Sequence, residues 1–243
     1  MSSIDLKNKV VLITGASRGI GYAAAREAAR RGAHVVAVAR TVGGMEDLDD
    51  EIQAMGGTTT LVPLDLRDGP GIDRLGASIF ERWGRLDGLI GNAGQLGTLS
   101  PVPHLRPDEF EAVMAINVTA NFRLLRSLDL PLRQAEAGRA VFVSSSSARS
   151  SRPYWGLYSA SKAALDSLVK TYAGEMASTS VRANVFYPGA VRTALRAKAM
   201  PGEAPETLPH PSEIADKLVD MVAPEFAGNG MRFDMRDGAL TAL

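Results

Sequence analysis

Cysteine is absent from the sequence of 243 residues. The chain therefore has no disulfide bond, no thiolate metal ligand and no cysteine nucleophile. Its three histidines, His34, His104 and His210, are too scattered to suggest a metal-binding motif, and we expect no metal site. The chemistry must then come from hydroxyl groups, lysine, asparagine or a bound cofactor.

Long hydrophobic runs and an excess of charge of either sign are also lacking. The longest apolar runs, such as residues 10–13 and 35–39, are far too short to span a bilayer, and the start Met1-Ser-Ser-Ile lacks a basic stretch and a signal core. Lys and Arg total 27, as do Asp and Glu, so no overall field draws the chain onto nucleic acid or an anionic membrane. These features predict a cytoplasmic protein that binds neither nucleic acid nor a membrane.

Short apolar runs alternate with helix-forming segments along the whole chain. The runs are unbroken in hydrophobicity, which is typical of parallel strands buried on both faces. The pattern predicts an α/β single-domain Rossmann fold over residues 1–243, a doubly wound parallel sheet of about seven strands with helices on both faces. The predicted strands are residues 9–14, 34–39, 59–63, 86–90, 140–144, 181–187 and 231–234, and the predicted helices are residues 18–31, 45–55, 71–83, 108–134, 156–178 and 212–222.

The segment Thr14-Gly-Ala-Ser-Arg-Gly-Ile-Gly21 lies where the first strand leads into the first helix. Glycines at positions 15, 19 and 21 allow backbone N–H groups to approach a pyrophosphate at the positive end of that helix. The alternative is a tight turn without a ligand. The strand before the segment and the helix after it favour a dinucleotide site.

The residue at the end of the second strand predicts which dinucleotide binds. NAD sites usually have Asp or Glu there, to accept hydrogen bonds from the adenosine ribose, whereas this strand ends in Arg40. A guanidinium cannot accept those bonds but can bind a 2′-phosphate, which Arg18 in the glycine turn could approach from the other side. Arg40 as a solvated strand end is the alternative. We expect NADP(H) rather than NAD(H).

Tyr158-Ser-Ala-Ser-Lys162 opens a helical stretch, and its i, i+4 spacing places the phenol and the ammonium on one helix face. A phenol titrates near pH 10, so it is a poor base at neutral pH unless nearby positive charge stabilises the phenolate. Lys162 and an oxidised nicotinamide are expected to supply that charge. Such a pair is common on helices, and only its context gives it meaning.

With these motifs in order, the sequence resembles the short-chain dehydrogenase/reductase family over nearly its whole length. Residues 14–21 match the family's TGxxxGIG motif, and Tyr158 and Lys162 match its YxxxK motif. Asn117 falls where the family keeps a helical asparagine, and Ser145 precedes Tyr158 by the family's usual thirteen residues. By this resemblance the cofactor-binding residues are Gly15, Ser17, Arg18, Gly19, Ile20, Gly21, Arg40, Asp65, Leu66, Asn92, Ala93, Gly94, Tyr158, Lys162, Pro188, Gly189, Val191 and Thr193.

The resemblance also implies the roles of the catalytic residues. Ser145 orients and polarises the carbonyl, and Tyr158 donates or removes the proton. Lys162 lowers the pKa of Tyr158 and holds the nicotinamide ribose, and Asn117 completes a proton relay. Residues 144–147 are all serine, and only spacing selects Ser145, so Ser146 stays open as the alternative.

Two motifs depart from the family pattern. The usual NNAG reads Gly91-Asn-Ala-Gly, and the common VDGG is replaced by Phe233-Asp-Met-Arg-Asp-Gly238, which puts the subunit contact in that region in doubt. The implied activity is hydride transfer between NADP(H) and a small-molecule carbonyl or alcohol. A non-catalytic NADP-binding regulatory or scaffold protein of the same fold is the main alternative, ahead of an isomerase, a dehydratase or a methyltransferase.

Three further expectations concern the surroundings of the site. Residues 194–211, which include Gly202 and four prolines, are predicted to form a substrate lid. The substrate pocket could include Tyr154, Trp155, Tyr187, Leu195, Met200, Arg149 and Arg152, although core or surface roles are equally open for each. A homodimer or homotetramer is expected, formed on helix faces that carry Phe122, Leu125, Leu165 and Leu168.

Overall fold

The computed structural model describes residues 4–243. Residues 1–3, which belong to the segment used for the prediction of no signal sequence, lie outside the described residues. These residues form a single α/β domain around one eight-stranded sheet of order β3-β2-β1-β4-β5-β6-β7-β8. Its strands are β1 (Val10–Thr14), β2 (His34–Ala39), β3 (Thr58–Pro63), β4 (Gly88–Gly91), β5 (Arg139–Val143), β6 (Arg182–Tyr187), β7 (Met231–Asp234) and β8 (Ala239–Ala242). The helices are α1 (Gly19–Arg30), α2 (Gly43–Ala54), α3 (Gly69–Trp83), α4 (Pro107–Met114), α5 (Ala120–Gln134), α6 (Ser147–Ser150), α7 (Gly156–Glu175), α8 (Ala194–Ala199) and α9 (Pro211–Asp220).

The first seven strands are parallel, and the central ones are buried on both faces, as their apolar runs predict. Alternate residues of β1 belong to different cores. Val11 and Ile13 pack with α1, α2 and α9, whereas Val10 and Leu12 pack with α3, α5 and α7. The doubly wound Rossmann arrangement predicted from the sequence is confirmed.

The prediction of about seven strands is one too low. After β7 the chain turns at Asp237 and Gly238, where Gly238 has φ +69°, and β8 pairs with β7 in the antiparallel direction. The N–H of Ala239 donates to the Asp237 carboxylate at 2.9 Å. Asp-Gly is common in hairpin turns, so this pair is a local signal that could have indicated the extra strand.

The predicted helix over residues 108–134 is interrupted. It begins one residue earlier, at Pro107, and a π-helical segment at Ala115–Thr119 separates α4 from α5. Asn117 lies in that segment with its side chain buried, and its carbonyl oxygen accepts a hydrogen bond from Asn121 Nδ2 at 2.8 Å. π segments occur often at functional sites because they redirect a side chain within a helix.

The predicted assembly surface is partly wrong. Leu125 and Leu165 are 4% and 0% exposed and belong to the core of this single chain. Phe122 remains 48% exposed and Leu168 half-buried. Assembly stays a prediction, and its apolar contact would have to rely on Phe122 and its exposed neighbours. Within residues 4–243, no helix combines the length and the apolarity needed to cross a membrane.

The predicted lid contains α8 and a single 3-10 turn at Pro205–Thr207. Arg196 on α8 forms an ion pair with Glu203 at 2.6 Å. The segment is closed at its base because the N–H of Arg192 donates to the carbonyl oxygen of Pro209 at 3.0 Å. Its movement as a lid stays a prediction.

Arg31, at the C-terminal end of α1, connects this helix to α9. Its guanidinium is fully buried and pairs with Glu27 at 2.6 Å, with Asp220 at 2.7 Å and with Asp216. Burial alone would lower the pKa of this guanidinium, but the hydrogen bonds that it donates to Glu27 and Asp220 raise it. The arginine therefore stays charged inside the helix pair.

Replacement of Arg31 by methionine is expected to lower the free energy of unfolding by about 2 kcal/mol, because three carboxylates lose their shared partner. The matched control is Arg30→Met. Arg30 pairs with the same Glu27 but is 51% exposed, so its replacement should lower the free energy of unfolding by under about 0.5 kcal/mol. Urea unfolding of both variants measures this difference. Equal losses would contradict the special role of Arg31.

Candidate active site

A cavity of about 1040 Å³ lies at the carboxyl ends of the parallel strands, across the point where the chain order reverses between β1 and β4. Ligands of open α/β sheets bind in this crevice. The lining runs from the glycine turn and Arg40 to Ser145, Tyr158 and Thr193. One cavity therefore contains both ends of the predicted site.

The glycine turn, residues 14–21, is held in place by the turn that follows β4. Gly15 and Gly19 have φ of +67° and +61°, which side chains rarely adopt. Asn92 Nδ2 donates to the carbonyl oxygens of Thr14 at 2.9 Å and Gly15 at 3.4 Å. Thr14 Oγ1 in turn accepts from the N–H groups of Asn92 at 3.0 Å and Ala93 at 3.1 Å. These bonds fix the turn at which α1 begins.

The opposite end of the cavity from Tyr158 is basic. Arg18 and Arg40 line it and are exposed, and neither forms an ion pair within residues 4–243. Asp65 also lines it, but its carboxylate binds Arg67. That hydrogen bond, with a smaller effect of the Arg40 charge, lowers the pKa of Asp65 to about 2. Two unpaired guanidiniums therefore face this end.

Tyr158 and Lys162 are buried side by side on α7, with the ammonium 5.8 Å from the ring centre. Burial raises the pKa of Tyr158 to about 12, although the neighbouring Ser145 hydroxyl opposes the change. The expected lowering of this pKa by Lys162 is therefore absent from this structure. Lys162 Nζ donates to the Val143 carbonyl oxygen at 2.8 Å.

Burial also acts on Lys162, lowering the pKa of its ammonium to about 8, while Asp166 one turn later opposes that shift. Asp166 was not anticipated from the sequence. It accepts a hydrogen bond from the Tyr187 hydroxyl, and Ser144 lies close enough to lower its pKa, although burial raises that pKa overall. Ser144 Oγ and Asp166 Oδ1 lack a well-formed hydrogen bond. A carboxylate thus lies behind the lysine, where only the i, i+4 spacing from Lys162 could have indicated it.

Asn117 lies behind the cavity wall. Its side chain donates to the Gln95 carbonyl oxygen and to Ser161 Oγ, both at 2.9 Å, and accepts from the N–H of Gln95 at 2.8 Å. Ser161 Oγ donates to the Tyr158 carbonyl oxygen at 2.8 Å. The π segment of the long helix is therefore joined to the helix that carries Tyr158.

The structure brings most of the predicted residues to the cavity. Among the predicted catalytic and cofactor-binding residues, only Asn117 and Gly21 do not line the cavity, and both contact residues that do. Of the predicted substrate pocket, Trp155, Leu195 and Arg152 line the cavity, whereas Tyr187 packs against Asp166 in the core and Met200 lines a smaller neighbouring cavity. The predicted residues that line the main cavity are Gly15, Ser17, Arg18, Gly19, Ile20, Arg40, Asp65, Leu66, Asn92, Ala93, Gly94, Ser145, Ser146, Tyr158, Lys162, Pro188, Gly189, Val191 and Thr193.

Comparison with known proteins agrees with this arrangement. The family model described as short chain dehydrogenase matches residues 9–204. This chain belongs to the short-chain dehydrogenase family. The predicted Rossmann fold and the predicted membership of an oxidoreductase family are confirmed.

Individual relatives cover nearly all of this short-chain dehydrogenase. It is 35% identical over 237 residues to the uncharacterized oxidoreductase YciK of Escherichia coli K12, covering 96% of this chain and 94% of the relative. A Shigella flexneri short chain dehydrogenase solved in complex with NADP superposes with a TM-score of 0.92, at 34% identity over 97% of this chain and 100% of its own. One from Escherichia coli CFT073 in complex with NADPH gives 0.88, at 35% identity over 94% and 96%.

Gly21 offers a test of how tightly the turn is packed. A Cβ there would meet the Gly15 carbonyl oxygen and lie 2.5 Å from Asn92 Nδ2, so Gly21→Ala should lower the free energy of unfolding by about 2 kcal/mol. Gly43, the first residue of α2, has open space at its Cβ position, and Gly43→Ala should be neutral or stabilising. Chemical denaturation compares them. A Gly21→Ala protein as stable as the parent would refute the close contact.

Proposed function

We propose that this protein is an NADP(H)-dependent oxidoreductase that moves a hydride between the nicotinamide and a carbonyl or alcohol, with Tyr158 exchanging the proton. The observation that carries the proposal is the shared cavity. It joins a glycine turn suited to a pyrophosphate with a buried phenol that lies beside Ser145. Neither half alone indicates a reaction.

The residues of the cavity fit a dinucleotide. Because Gly15 and Gly19 carry no side chains, a ligand can approach the backbone N–H groups at the start of α1 closely. A Cβ on Gly94 would lie 3.5 Å from Lys162 Nζ, so glycine keeps this part of the cavity open beside the ammonium. Pro188, Gly189, Val191 and Thr193 line the wall assigned to the nicotinamide end.

NADP(H) is favoured over NAD(H) by charge. Arg18 and Arg40 are unpaired within the described residues, and no carboxylate follows β2 to accept hydrogen bonds from the ribose. The NADP and NADPH complexes of the two structural neighbours support the same choice. We therefore assign Arg40 and Arg18 to a 2′-phosphate.

The pKa of Tyr158 suits the donation of a proton. At about 12 the phenol is fully protonated at neutral pH, as a general acid for a carbonyl oxygen must be. Ser145, which lies beside the phenol, orients that oxygen. A bound NADPH supplies the hydride, and its oxidised form supplies positive charge that favours the phenolate left after donation.

Lys162 and Asn117 complete the assignment. The Lys162 ammonium is anchored on the Val143 carbonyl oxygen beside Gly94, where it can hold the nicotinamide ribose. Because its pKa lies near 8, Lys162 loses its charge as the pH rises through that value. Asn117 binds the Gln95 backbone and Ser161 and thereby fixes the position of α7 behind the proton donor.

Tyr158→Phe should lower kcat by roughly a thousandfold or more, because the ring stays and the transferable proton is lost. Cofactor affinity should stay within about twofold. Tyr154→Phe, at a tyrosine that is 62% exposed, is the control and should change neither quantity. Lys162→Ala should reduce both kcat and the affinity for the cofactor. NADPH oxidation with a panel of carbonyl compounds, combined with fluorescence titration of NADPH, measures these effects.

A Tyr158→Phe protein that kept most of its kcat across the pH range would rule out this mechanism. A regulatory NADP-binding protein of the same fold would then be the better description.

Arg40→Asp should reverse the preference between NADPH and NADH, because a carboxylate repels the 2′-phosphate and accepts hydrogen bonds from a ribose. Arg40→Lys keeps the charge but loses the planar fork, so it should weaken NADPH binding by roughly tenfold while retaining the preference. Titration of each protein with both cofactors decides the matter. Equal affinity of the parent protein for NADH and NADPH would refute the assignment.

A further inference from the structure

The cavity continues past Tyr158 into an apolar region that the proposed cofactor contacts do not explain. Leu96, Tyr158 and Ala199 form a small buried cluster, separate from the two cores of the sheet. Leu99, Trp155 and Leu195 are half-buried and pack against it. The Trp155 ring meets Tyr158 edge-on, with ring centres 6.0 Å apart. An apolar wall therefore surrounds the proton donor.

Arg152 and Arg236 are two of the arginines in the cavity lining, which also includes Arg192 and Arg196. Arg152 lies in the loop between α6 and α7, and Arg236 lies in the turn between β7 and β8, where the family motif is replaced. A Cβ on Gly189 would lie 3.3 Å from Arg236 Cγ, so the arginine side chain crosses the segment assigned to the nicotinamide. Both arginines share the lining with Ser145 and Tyr158.

Arg236 is held in place. Its Nε and Nη2 donate to the two oxygens of Asp234 at 2.9 and 2.5 Å, and its backbone N–H donates to the same carboxylate at 3.0 Å. This pairing lowers the pKa of Asp234. A guanidinium has five N–H donors, so three remain free to bind a further acceptor. The side chain is still 56% exposed.

Basic residues outnumber acidic ones in the cavity lining. Arg152 forms no ion pair within residues 4–243, so it adds a cation that no carboxylate of the protein balances. Asp65 is the one acidic residue of the cavity lining in the described chain, and it lies at the other end, bound to Arg67. The Arg236–Asp234 pair contributes donors and Arg152 contributes net charge, and together they complement an anion.

We infer that the substrate is a carbonyl compound with an apolar body and a carboxylate, bound with the carbonyl at Ser145 and Tyr158 and the carboxylate at Arg152 and Arg236. This inference rests on the proposed function. In the reduction, NADPH gives its hydride to the carbonyl carbon, the C=O π bond breaks, and the oxygen takes the Tyr158 proton. The product is the alcohol together with NADP⁺, and the carboxylate is unchanged. Solvent returns the proton to the phenolate.

The test compares 4-formylbenzoate with 4-formylbenzamide, which has nearly the same planar shape but no charge. Calorimetry with the protein saturated with NADP⁺ measures binding without turnover, and NADPH oxidation measures kcat/KM. The parent protein should favour the carboxylate by about tenfold or more in both. Arg236→Gln and Arg152→Gln should each reduce that preference, and the double variant should remove it while leaving the amide unaffected. Arg149→Gln is the control, because Arg149 does not line the cavity, and it should retain the preference.

The outcomes separate the inference from the proposed function. Reduction of both aldehydes with equal efficiency and equal binding would overturn the inference and leave the oxidoreductase proposal standing. A preference that survives in the double variant would also overturn it. Selective binding of the carboxylate with no oxidation of NADPH would support the anion site and count against the proposed reaction.

Discussion

The hydrogen bonds between the ends of β1 and β4 are the constraint on which the rest of the site depends. Asn92 and Thr14 bind each other's backbone at the one place in the described sheet where neighbouring strands are not consecutive along the chain. Helices leave the sheet on opposite faces there, so the crevice opens without any strand being displaced. The glycine turn with Arg18, the single Arg40 after β2 and the serines after β5 all take their positions relative to this junction.

Burial determines the chemistry of the catalytic pair more than proximity does. Two adjacent turns of α7 carry a phenol whose pKa rises and an ammonium whose pKa falls, and desolvation is the main cause of both. Neutral forms are thus favoured on each side chain. Charge supplied by a ligand would therefore have a large effect in this low-dielectric region, and the resting protein holds the proton on the tyrosine.

Local sequence patterns predicted the elements that local interactions determine. Three such features could be recognised in the sequence: the apolar runs of β1 and β2, the glycine turn, and the Tyr158/Lys162 spacing. They are recognisable because backbone sterics and hydrophobic burial act over a few residues. The predicted face of α5 and α7 was partly wrong, since Leu125 and Leu165 fill the core. Periodicity identifies an apolar face but not whether the same chain or another copy covers it. Arg236 was missed because only the tertiary fold brings it to the site, whereas Asp166 was missed although its i, i+4 spacing from Lys162 is visible in the sequence.

The π segment at Ala115–Thr119 has a consequence for how this helix tolerates change in length. A π turn contains one residue more than an α-helical turn, and each residue corresponds to about 100° of rotation around the axis. The wide turn absorbs that rotation, so the helix on either side keeps its direction, and deletion of a single residue there would restore a continuous α-helix with Val113 on α4 and Leu124 on α5 still facing inward. The local placement of Asn117 would be lost, together with its hydrogen bonds to Gln95 and Ser161. The two hydrophobic faces of this helix are therefore insensitive to the loss of one residue at this point, whereas the polar link to α7 depends on the extra residue.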